Sequence, residues 1–127
     1  MATTDRQMKS LLVVEDSVLA SAGMVALLGH FGYMVTAAGN GRIAEELLDA
    51  GPPPDVILLD MRLPEVDGWH FLEWLKGTPY RDIPVIVTTG TDLTPEWAAE
   101  HGCAGFLKKP FDEDDLLAEL ERVLGPQ

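Results

Sequence analysis

Residues 55–60 read Asp-Val-Ile-Leu-Leu-Asp. Four consecutive apolar residues, Val56 to Leu59, leave no polar position for a solvent-facing side, so the run predicts a strand buried on both faces. Such strands belong to parallel sheets with helices packed against each side. Working outward, comparable runs recur at Leu11 to Val14, Tyr33 to Ala38, Val85 to Val87, and Phe106 with Leu107. Between them the apolar residues follow helical spacing: Val18, Ala22, Val25 and Leu28; Ile43 and Leu47; Phe71 and Leu75. The last stretch places Leu116, Leu120 and Val123 on one face. Strand and helix alternate five times, which predicts an α/β fold with a doubly wound, five-stranded parallel sheet. Local signals agree: Thr94 before Pro95 reads as a helix cap and first helical residue, Asp112 as the cap of the last helix, and Gly51 with Pro52 as the end of the second.

A chain of 127 residues with 46% hydrophobic content suits one core. The expectation is a single domain over 1–127, with its core at about 9–124. No linker, repeat or low-complexity tract divides it. The formal net charge of -12 repels phosphodiester backbones and anionic lipid, so a basic nucleic-acid or membrane face is excluded. Met1 to Lys9 is polar, and no apolar run approaches a membrane span, so a soluble cytoplasmic protein is expected. The lone Cys103 has no internal disulfide partner and reads as a small buried residue. Trp69 and Trp74 read as packing residues. Trp97 does too, with a partner surface as its second reading. His30, His70 and His101 lack the spacing of a metal site.

In doubly wound sheets the functional residues gather at the carboxyl ends of the strands. Those ends carry Glu15 and Asp16, then Asp60, then Thr88 and Thr89, then Lys108 and Lys109. Two like charges about 4 Å apart cost roughly 4 kcal/mol at an effective dielectric of 20, so three converging carboxylates need a positive partner. Lys109 serves one of them. A hard divalent cation serves several, and Mg²⁺ typically combines one or two carboxylates with water and phosphate oxygens. A carboxylate can also attack phosphorus to give an acyl phosphate. Asp60 is the candidate nucleophile and Glu15 and Asp16 are better placed as metal ligands; the cation and Lys109 would neutralise the transferring oxygens, with the Thr89 hydroxyl donating a hydrogen bond.

The segments LLVVEDS, DVILLDMRLPEVDGW, IPVIVTTG and GCAGFLKKPF, in this order and spacing, resemble the receiver domains of two-component response regulators. The resemblance covers nearly the whole chain. It implies a flavodoxin-like (βα)5 fold with strand order 2-1-3-4-5. It implies Asp60 as phosphoacceptor, with Mg²⁺ or Mn²⁺ held by Asp16 directly, by Glu15 through water, by Asp60 and by the backbone carbonyl of Arg62. It further implies Thr89 and Lys109 as phosphoryl-binding groups, the backbone N–H groups of Met61 and Gly90 as hydrogen-bond donors to the phosphate, and a cis bond from Lys109 to Pro110. Thr89 and Phe106 would be the switch pair, and Arg62 and Thr91 occupy positions that resemble those tuning phosphoryl lifetime. The acid pair here is Glu-Asp where many relatives have Asp-Asp. Phe106 replaces a frequent Tyr, so its switch would be one of packing alone.

The implied function is a stand-alone signalling switch rather than an enzyme, with Mg-dependent self-phosphorylation from phosphodonors and self-dephosphorylation. A sensor histidine kinase or a histidine phosphotransfer protein would be the donor and another protein the effector, with the chain a monomer or weak dimer. The alternative is a receiver-like interaction module that works without phosphorylation. A haloacid-dehalogenase-type enzyme would need an Asp where Arg62 stands. A flavodoxin-like cofactor protein would place its flavin phosphate against Glu15 and Asp16, which would repel it.

Overall fold

The Val56–Leu59 run lies at the centre of the sheet, and its side chains alternate between two cores. The computed structural model of the chain describes residues 8–62 and 67–125. The expected N-terminal tail up to residue 7 and the last two residues lie outside that set. Five strands, β1 (Ser10–Val14), β2 (Met34–Ala38), β3 (Val56–Asp60), β4 (Val85–Thr89) and β5 (Gly105–Lys108), alternate with α1 (Val18–His30), α2 (Gly41–Ala50), α3 (Gly68–Lys76), α4 (Pro95–Glu100) and α5 (Glu113–Leu124). All neighbours pair in parallel, in the order β2-β1-β3-β4-β5. The expected fold class and strand order are therefore observed.

Ile57 and Leu59 point into a core shared with Phe71, Leu72 and Leu75 of α3 and with Ala44 and Leu48 of α2. Val56 and Leu58 point the other way, into a core shared with Leu28 of α1 and with Leu116 and Leu120 of α5. The period of two along a strand, combined with helices on both sides, is why no residue of the run is polar.

The helix starts follow from short polar caps that satisfy otherwise unpaired backbone N–H groups. The side chains of Ser17, Asn40, Asp67, Thr94 and Asp112 each accept an N–H from three residues on. Asp112 and Asp115 complete a reciprocal capping box. Gly51 ends α2.

The buried sides of two helices differ from the apolar spacing in the sequence. In α1, Leu28 of the expected face is buried, but Val18 is 81% exposed, and Met24 and Leu27 pack alongside Leu28 in its place. The helix is apolar all round, so periodicity gave no single face. In α2, Ile43 and Leu47 lie at the exposed rim while Ala44 and Leu48 are buried.

Candidate functional site

Among the described residues, the buried polar or charged ones are Glu15, Asp60, Thr88 and Thr89. All four sit at the carboxyl ends of adjacent strands. Burying a carboxylate is costly unless it is paired or hydrogen-bonded, so this edge of the sheet carries a function or a defect. Its bonding indicates the former.

Asp60 is the last residue of β3, and both its oxygens are engaged. Oδ1 accepts the backbone N–H of Arg62 at 2.9 Å, and Oδ2 accepts from Lys109 Nζ at 3.1 Å. Glu15 follows β1 and extends its ladder, donating its N–H to the Ala38 carbonyl at 3.0 Å. Its Oε1 takes the other arm of Lys109 at 2.9 Å, and Oε2 accepts the N–H of Ser17 at 3.1 Å. Asp16 stands beside them on the solvent side. One carboxylate oxygen from each of Glu15, Asp16 and Asp60 lies within 4.8 Å of the others.

Lys109 reaches this cluster because β5 ends one residue before it and because its own N–H donates to the Thr89 carbonyl at 2.7 Å. The bond that follows, Lys109–Pro110, is cis. Burial pushes the Glu15 carboxyl above its ordinary value, outweighing the lowering by Lys109 and Ser17, with the nearby Asp60 charge adding to the rise. Burial alone would lower the Lys109 ammonium. Its hydrogen bonds to Glu15 and Asp60 overcome that and hold it above the usual lysine value.

Three carboxylates against one ammonium leave a net charge of two negatives when all are ionised. Oxygen ligands only, an open solvent side at Asp16 and surplus negative charge suit a hard divalent cation of the Mg²⁺ kind.

The switch candidates lie on the adjoining strands. Thr89 ends β4, and its hydroxyl lies 2.7 Å from that of Thr91 while accepting the Thr91 N–H at 3.0 Å. Phe106 is half-buried in β5 and packs on the α2–α3 side of the sheet. The N–H of Met61 is occupied by the Thr88 carbonyl at 3.1 Å, whereas Gly90 is exposed beside Lys109. The side chain of Arg62 is exposed.

Close packing fixes the far side of the pocket. A Cβ on Gly68 at the start of α3 would meet Met61 Cα at 2.6 Å, so only glycine lets α3 sit this near the residue after Asp60.

Sequence reasoning brought Glu15, Asp16, Asp60, Thr89 and Lys109 to one edge, and the structure places them there. It passed over the Arg62 N–H as a donor to Asp60, since a main-chain group leaves no trace in residue type. It also passed over Glu119 and Arg122, an i,i+3 pair on α5. Glu119 accepts the Phe106 N–H at 2.9 Å, and Arg122 donates to the Ala104 carbonyl at 2.7 Å. The pair thereby occupies the outer hydrogen-bonding edge of β5. Trp97 stacks on His101 with centroids 4.2 Å apart, and Trp69 of α3 meets Trp97 at a tilt and His101 edge-on. Trp74 and Trp97 pack against the core as expected, whereas Trp69 is 42% exposed. Cys103 is half-buried, and burial pushes its thiol up to about 11, as suits an unreactive residue.

No described helix is long and apolar enough to cross a membrane. The chain is similar to Protein PilH of Pseudomonas aeruginosa, 32% identical over 120 residues that cover 92% of this chain and 98% of that protein. Among solved structures it resembles the chemotaxis response regulator CheY4 of Vibrio cholerae, at TM-score 0.84 and 30% identity, covering 93% of this chain and 100% of that one. It also resembles the receiver domain of the sensor histidine kinase PA1611 from Pseudomonas aeruginosa PAO1, solved with a magnesium ion coordinated in its active site cleft. That likeness has TM-score 0.83 and 29% identity, over 94% of this chain and 100% of that one. The chain spans about half the length of the first curated relatives it matches, which are transcriptional regulatory proteins and response regulators. The family model for the response regulator receiver domain matches residues 11–121. With its strand order, its acid cluster and that match, the chain belongs to the response regulator receiver domain family.

Proposed function

We propose that the chain is a phosphoacceptor switch in which Asp60 takes a phosphoryl group from a sensor histidine kinase or a histidine phosphotransfer protein. The reading rests on one observation above the rest: among the described residues, the buried polar and charged ones fall at a single sheet edge, with Lys109 bridging Glu15 and Asp60. Receiver domains bind Mg²⁺ at an acidic pocket, and Glu15, Asp16, Asp60 and the backbone carbonyl of Arg62 would hold Mg²⁺ or Mn²⁺ here. When bound, that cation would offset negative charge on the transferring oxygens.

The residues of the chain divide the remaining tasks. An Asp60 carboxylate oxygen forms the new bond to phosphorus while the bond to the donor's leaving group breaks, so Asp60 becomes an acyl phosphate. Lys109 follows the charge from the Asp60 carboxylate to the phosphoryl oxygens. Thr89 turns its hydroxyl toward the same group, joined by the N–H groups of Gly90 and Met61. The Met61 N–H must be shared with Thr88 or released by it. Phe106 repacks as Thr89 moves, and Arg62 and Thr91 set how long the acyl phosphate survives water. The group adds about -1.5 to -2 of charge, enough to bias a two-state loop.

On this reading the receiver domain covers residues 1–127, with its core at about 9–124, and the chain acts as a cytoplasmic monomer or weak dimer read by another protein. It would both phosphorylate itself from small donors and dephosphorylate itself. Borohydride reduction after exposure to a phosphodonor tests the assignment, because it converts an aspartyl phosphate to homoserine. Peptide mapping should find homoserine at position 60. Finding it elsewhere, or nowhere in protein that carries phosphate, would overturn the assignment of Asp60.

A further inference from the structure

Two adjacent lysines at the end of β5 do different things. Lys109 turns its ammonium into the carboxylates. Lys108, one residue earlier and so on the opposite face of the strand, donates its ammonium to the carbonyl of Thr91, in the loop between β4 and α4. That loop is also closed on itself, since the Thr89 hydroxyl accepts the Thr91 N–H at 3.0 Å and lies 2.7 Å from the Thr91 hydroxyl. Thr89 itself is 1% exposed, whereas Thr91 and the bond from Lys108 lie at the surface.

We propose that Lys108 is a positioning residue for the unphosphorylated state. It tethers the Thr91 carbonyl and thereby keeps the Thr89 hydroxyl inside its own loop, away from service to a phosphoryl group on Asp60. The inference rests on the phosphoacceptor reading of the site, and it assigns a restraint to a residue outside the reacting cluster. A group bound at Asp60 shifts the loop only by its differential affinity for the two arrangements. Whatever stabilises the resting loop therefore weakens apparent binding by the same factor.

The sign separates this role from plain electrostatics. If Lys108 acted as a nearby positive charge, its removal would weaken binding of an anion. If it acts as a tether, removal strengthens that binding. One charge-assisted hydrogen bond at an exposed position corresponds to a change of about fivefold.

The test uses beryllofluoride as the phosphoryl analogue, titrated with Mg²⁺ present into wild type, Lys108→Met and Lys108→Arg and followed by amide NMR. Hydrogen exchange of the Thr91 amide is measured in the same proteins without ligand. Lys108→Met should bind beryllofluoride about fivefold more tightly and exchange Thr91 faster, while Lys108→Arg restores wild-type values in both. Equal or weaker binding by Lys108→Met, or unchanged Thr91 exchange, overturns the tether. Wild-type protein blind to beryllofluoride overturns the phosphoacceptor reading and the regulatory claim with it. Wild-type binding with Lys108→Met unchanged overturns the tether alone.

Discussion

Replacing Lys109 by Met tests the electrostatics of the site before any phosphoryl chemistry. The substitution keeps the aliphatic stem and removes the ammonium that bonds Glu15 at 2.9 Å and Asp60 at 3.1 Å. The two side chains left behind are 3% and 6% exposed with the lysine in place, so each carboxylate loses its main charge partner in a largely buried setting. Breaking a buried pair by removing one partner typically costs about 3–5 kcal/mol. One feature reduces that here: Lys109 is itself 34% exposed, so water already screens the pair. The expected loss is therefore about 2–4 kcal/mol in metal-free protein at neutral pH. It is read by urea denaturation in chelator. Millimolar Mg²⁺ should then stabilise the Met variant by more than it stabilises wild type, because the cation no longer competes with an ammonium for the same oxygens. A variant as stable as wild type in chelator, or an equal response of both proteins to Mg²⁺, would refute the view that Lys109 neutralises a strained acid cluster.

Three other outcomes follow from particular contacts. Gly68→Ala should cost about 1–3 kcal/mol and weaken Mg²⁺ binding as well, since its Cβ would meet the backbone of Met61 at 2.6 Å, next to Asp60; denaturation and Mg²⁺ titration read the two effects. Glu119→Gln should cost about 1 kcal/mol at neutral pH by weakening the bonds to Arg122 and to the Phe106 N–H. The hydrogen bond from Arg122 holds the folded Glu119 carboxyl below 4.5, so the charge contributes stability above that value and loses it as pH falls through the lower folded one. The gap between wild type and the Gln variant should thus narrow below pH 4.5, and a gap that widens there would show the pair was wrongly weighed. Thr94→Ala should destabilise by about 1 kcal/mol, by removing the oxygen that accepts the Trp97 N–H at the start of α4.

The fold was legible where chemistry and periodicity spoke together. Val56 to Leu59 identified a doubly buried strand because helices cover both faces, and Thr94 and Asp112 identified caps because their side-chain oxygens reach unpaired N–H groups. Helix α1 hid its buried side, since a segment with no charge before His30 has no polar face to exclude. The acid cluster was legible because a parallel doubly wound sheet carries its strand ends to one edge, which made Glu15, Asp60 and Lys109 neighbours by topology alone. Three kinds of contact were not legible. The Arg62 N–H belongs to the main chain, the Lys108 bond depends on a loop conformation, and the Glu119–Arg122 clasp depends on how α5 is rotated against β5. Residue type and spacing carry none of these.

The most direct measurement of the central claim is the intact mass of the protein after incubation with acetyl phosphate, with and without Mg²⁺, for wild type and for Asp60→Asn. A gain of one phosphoryl group that requires Mg²⁺ and disappears in the Asn variant is the predicted result. Folded wild-type protein that gains no mass with Mg²⁺ present, or an Asn variant that gains as much as wild type, would contradict it and leave the buried acids to a phosphorylation-independent interaction module.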